Sequence, residues 1–80
     1  MITLKYTIRA VHTEPARAEA MLGGQPVSVM ADRLVLELAD AGGGTHLVPL
    51  PVAAAAELDA QRAAFTAGGT VSVTLVPDNN

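Results

Sequence analysis

The chain has 80 residues, half of them hydrophobic, with a formal net charge of −3 and no cysteine. That is one small domain (1–80) near the size at which a single core only just suffices, with no disulfide or thiolate metal site to supplement it. Five basic residues among scattered carboxylates exclude the basic footprint of direct nucleic-acid binding.

The first strand is the clearest signal. Ile2, Leu4, Tyr6 and Ile8 alternate with Thr3, Lys5, Thr7 and Arg9, a period of two that places one side in a core and the other in water. Such a strand belongs to a mainly antiparallel sheet with an open face. Thr13 and Glu14 before Pro15 offer a helix start, so Ala16 to Leu22 reads either as a short helix closed by Gly23 or as an alanine-rich loop.

Alternation returns in Val27 to Met30 and in Leu34 to Ala39, with Ala31, Asp32 and Arg33 as a tight connection between two hairpin strands. A glycine turn, Asp40 to Thr45, leads into a strand from His46 to Leu50, which Pro49 places at an edge or ends. Val52 to Ala67 reads as the main helix, with Leu58 and Phe65 as its anchors on the sheet and Gly68 and Gly69 after it. Thr70 to Val76 is the last strand, and residues 77–80 form a frayed tail. The expected fold is α+β: a mostly antiparallel sheet of four to five strands with one main helix, and room for a short second one, packed on one face.

Little in this pattern carries chemistry. His12 and His46 stand at strand ends, and a metal reading would join His46 to Glu37 or Asp40, with His12 as a further ligand; no HxH, HxxxH or cysteine spacing supports it. Gly42 to Gly44 precede a strand rather than a helix, so they are a turn and not a phosphate cradle. Ser28 and Ser72 lack a neighbouring histidine or a nucleophile elbow, and Glu57 and Asp59 point to different sides of their helix. No catalytic residue, cofactor or metal is expected, and the chain reads as a non-enzyme.

What remains is surface. Lys5 and Arg9, with Thr7 between them, could meet a carboxylate or phosphate on a partner. Met30, Val35 and Val76 should share the outer face with them, and a mixed polar and apolar sheet face suits a protein contact. The expected protein-contact residues are Thr3, Lys5, Thr7, Arg9, Met30 and Val35, with Glu37 and Asp40 on the acidic hairpin.

In size, mild acidity and general architecture, though in no motif, the chain resembles the small inhibitors that phages and mobile elements direct against host defence, such as anti-CRISPR proteins. Abundant alanine and glycine, with four arginines to one lysine, fit a GC-rich bacterial or phage genome. The resemblance implies steric blocking of a protein effector complex that itself contains or binds nucleic acid. The alternative is a small virion or tail-assembly component, or a homo-oligomeric packing module. The N-terminus lacks signal-peptide character and no run approaches the roughly 18 apolar residues of a membrane span. A cytoplasmic setting without membrane contact is therefore expected, as monomer or homodimer.

Overall fold

The computed structural model describes residues 1–78; the last two positions of the expected tail, Asn79 and Asn80, lie outside them. Four strands, β1 (Ile2–Leu22), β2 (Gln25–Ala39), β3 (Thr45–Pro49) and β4 (Thr70–Leu75), form one sheet in the order β3-β2-β1-β4. Every pairing is antiparallel, and a single helix, α1 (Ala55–Ala64), lies between β3 and β4 in the chain. The α+β class and the single main helix agree with the sequence pattern, and the strand count is four.

Two expectations are corrected. Ala16 to Leu22 is neither helix nor loop but the outer half of a 21-residue strand, and Ala31 to Arg33 is not a turn but the middle of a 15-residue one. The turn that joins these strands is Gly23 and Gly24, with φ of 58° and 78°. Two successive residues in the left-handed region make the two-residue hairpin turn whose twist matches its flanking strands, and glycine takes that conformation without a Cβ penalty. Alanine's helix propensity loses here to fifteen cross-strand pairs between β1 and β2.

A bulge controls which side chains reach the core. Ile8 lies opposite Leu38 and Ala10 opposite Glu37, so Arg9 is an extra residue with no partner of its own. Before it, the even residues of β1 face α1; beyond it, the odd ones do, beginning with Val11 and Thr13 opposite Leu36 and Leu34. The core therefore gathers Ile8, Leu36 and Leu38, with Tyr6, Val11, Val48, Leu50, Phe65 and Val71 packed around them. Leu34 and Leu58 are also buried. The expected core contribution of Ile2 and Leu4 is corrected: they are 59% and 38% exposed, because α1 ends short of that end of the sheet.

The connection that holds the helix leads from one edge strand, β3, to the other, β4. The helix is shorter at both ends than Val52 to Ala67. Its entry is held by backbone rather than by a side-chain cap: Leu50 N–H donates to Leu34 O at 2.8 Å and Ala53 N–H to Asp32 O at 3.1 Å. Arg62 then ties its last turn to β1, donating to Thr13 Oγ1 at 3.0 Å.

Those two bonds also show how the sheet accommodates proline. Asp32 and Leu34 turn their backbone groups toward the β3 side, so their partners Pro15 and Thr13 turn theirs toward the opposite edge. The same parity carries to Pro26, opposite Met21, and Pro49, opposite Val35. At all three prolines the missing N–H would have pointed away from the paired strand, so no ladder bond is lost.

Candidate functional site

The eight residues expected to make a protein contact fall in three places. Thr3, Lys5 and Thr7 lie on the sheet face opposite α1, paired with Thr74, Ser72 and Thr70 of β4. Arg9, thrown out by the bulge, reaches across β2 and donates to Thr45 Oγ1 at 2.8 Å. Lys5, Thr7 and Asp40 meet around a shallow cleft that Tyr6, Ala39, Ala41 and Thr70 also line.

Glu37 and Val35 share that outer face, but Val35 is only 8% exposed and presents little apolar surface, which corrects the expectation of an open valine. Its four neighbours in the sheet, His12, Pro49, Arg33 and Glu37, close around it. Three of them are held by polar contacts: His12 Nε2 lies 3.2 Å from Glu37 Oε2, and Arg33 Nε donates to Glu14 Oε1 at 2.7 Å. Met30 is on the other face, with Leu34, Leu36 and Leu38, because β2 runs through residues 31–33 without a break.

The turn after β2 gathers three hydrogen bonds on the Asp40 carboxylate. Asp40 Oδ1 accepts from Gly42 N–H at 2.9 Å and Gly44 N–H at 2.8 Å, while Oδ2 meets His46 Nε2 at 3.0 Å. An ionised carboxylate only accepts, so the imidazole donates. The hydrogen bond from His46, then that from Gly44, hold the Asp40 carboxyl below the usual carboxylate range, against a smaller opposing effect of burial. The His46 ring also stands edge-on to Tyr6, with centroids 5.5 Å apart.

The histidines do not converge. His46 lies opposite Leu38 on the helix side, whereas His12 lies opposite Val35 on the outer face. Among the described residues no three His, Cys, Asp or Glu side chains gather as a metal-holding group, and no helix is long and apolar enough to cross a membrane.

The feature that sequence reasoning missed is an arm. On the β4 side, β1 is paired only as far as Ile8, where Ile8 N–H donates to Gly69 O and Ile8 O accepts from Gly68 N–H. On the β3 side, the last contact of β2 is the bridge from Asp32 to Ala53. Beyond these points the described residues add no third strand, so Pro15 to Leu22 and Gln25 to Ala31 form a two-stranded ribbon in a molecule 49 × 35 × 19 Å across. At its tip Met21 and Leu22 are 69% and 71% exposed, and near its base Met30, opposite Arg17, is 65% exposed. The signal for it was Gly23-Gly24 between Leu22 and Gln25, with small Ala16, Ala18 and Ala20 alternating against Arg17, Glu19 and Met21. Comparison with known proteins finds no matching family model, curated protein or solved structure.

Proposed function

We propose that this chain is a non-enzymatic protein-binding domain whose contact element is the projecting arm. The observation that carries the reading is the exposure of Met21, Leu22 and Met30 on a ribbon that stands clear of the core. Unbranched, polarizable methionine adapts to irregular partner surfaces, and an unpaired strand edge offers backbone hydrogen bonds to another chain. The resemblance to anti-CRISPR inhibitors extends this reading to a host effector complex blocked sterically, with contact made to its protein part because the net charge is −3.

Affinity capture from a bacterial host tests it with three tagged proteins: the wild type, Met21→Asp with Met30→Asp, and Lys5→Glu with Arg9→Glu. The reading expects a specific protein captured by the wild type and by the Lys5/Arg9 variant and lost from the arm variant. Loss confined to the Lys5/Arg9 variant moves the contact to the outer sheet face.

The second reading, a homo-oligomeric packing module, is favoured by the free edge of β1. Light scattering separates it: a ring or higher oligomer supports assembly, and a monomer or dimer supports the binding domain.

A further inference from the structure

We infer that the free edge of β1 pairs with the same edge of a second copy, antiparallel, about a two-fold axis at Ala18. This rests on the arm being a contact element and assigns one edge of it, that of β1, to a second copy.

The edge has a definite composition. Within the arm, Pro15, Arg17, Glu19 and Met21 turn their backbone groups away from β2, as the bonds to Asp32 and Leu34 establish for this parity. Pro15 has no N–H to offer, so the usable donors are Arg17, Glu19 and Met21. On β2 the corresponding edge is weaker: Pro26 removes a donor near its tip, and Asp32 O is already used by Ala53.

Charge selects the register. Among the described residues Arg17 and Glu19 form no intrachain ion pair, whereas Glu14, Glu37, Asp40 and Asp59 each have a cationic or imidazole partner. A two-fold axis at Ala18 sets Arg17 of each copy directly opposite Glu19 of the other, on one face, in hydrogen-bonded pairs. Moving the axis to Arg17 or to Glu19 sets like charges opposite each other at the centre, which is unfavourable. On the other face Ala16, Ala18 and Ala20 meet Ala20, Ala18 and Ala16, small side chains that let two sheets join flat. Pro15 falls opposite Met21, where its missing donor costs only a peripheral bond.

The pairing also resolves a weakness of the monomer. A ribbon of two strands is marginal alone in water, and three or more strands are needed for independent stability. Joining two arms makes four. The tip of each copy then runs beside Glu14 and Thr13 of the other, at the mouth of the groove lined by Val11, Arg62 and Phe65.

Sedimentation equilibrium on the full chain, with folding checked by circular dichroism, tests this. The wild type should be dimeric at high micromolar concentration. Arg17→Glu and Glu19→Arg should each weaken the dimer by about tenfold or more by opposing like charges, and the double swap should restore it. Ala18→Cys, in a chain with no other cysteine, should oxidise to a covalent dimer, while Ala20→Cys, opposite Ala16 and not itself, should not. A monomeric wild type overturns the self-pairing and leaves the arm free for another protein. A dimer indifferent to both charge swaps and not locked by Ala18→Cys places the contact off the arm and overturns both readings.

Discussion

Asp40 Oδ2 lies 3.0 Å from His46 Nε2 across the glycine turn that joins β2 to β3. That bond, with the N–H groups of Gly44 and Gly42, lowers the Asp40 pKa in the folded chain. A carboxyl with a lower pKa folded than unfolded adds stability above the ordinary aspartate range near pH 4 and loses it as pH falls toward the folded value. Asp40→Asn should therefore be clearly less stable than the wild type in urea at pH 6, and the gap should narrow by pH 3. A gap independent of pH would show that the charge of Asp40 does not hold the turn.

Gly44 is required by the same carboxylate. A Cβ at Gly44 would stand 2.6 Å from Asp40 Oδ2, closer than real contacts allow. Gly44→Ala should displace the carboxylate and weaken the turn, and Gly44→Ala combined with Asp40→Ala should cost little more than either alone, since both remove one set of bonds. Additive losses in urea melts would separate the two effects.

The bulge at Arg9 predicts an unusual tolerance. Removing Arg9 brings Ile8 and Ala10 into a regular ladder against Leu38 and Glu37 without moving either to the wrong face. The deletion should fold, with a thermal midpoint near that of the wild type. Deleting Val35, in an unbulged central strand, inverts one half of β2 and should abolish the cooperative transition followed by circular dichroism.

Leu58 and Phe65 were expected to anchor the helix on the sheet, and of the two Leu58 is buried and Phe65 partly so. Leu58→Ala should cost about 2–5 kcal/mol, the range for a buried leucine. Phe65→Ala should cost less than the roughly 3–5 kcal/mol of a fully buried ring. Urea midpoints in the reverse order would mean that the ring, rather than Leu58, holds the helix.

Much of the body was legible in the residues: the alternation from Ile2 to Ile8, Pro49 on an edge strand, the alanine-rich helix with Leu58 inward, and the last strand from Thr70. Each rests on local periodicity or on a backbone rule that needs no partner. The contact surface was not legible in the same way. Most of its expected residues were chosen by strand parity, and the unbroken course of β2 moved Met30 to the helix side while neighbouring side chains cover Val35.

The sequence alone determined an antiparallel α+β fold with one main helix, its acidic balance and the glycine turn from Asp40 to Thr45, because these follow from side-chain period and backbone stereochemistry. Tertiary structure alone decided that Ala16 to Leu22 is a strand. Its seven pairs with β2 outweigh a helical preference of at most about 1 kcal/mol per residue. With that decision came the arm, its free edge and the exposure of Met21, Leu22 and Met30, since a segment's edge and face are defined only by what pairs beside it.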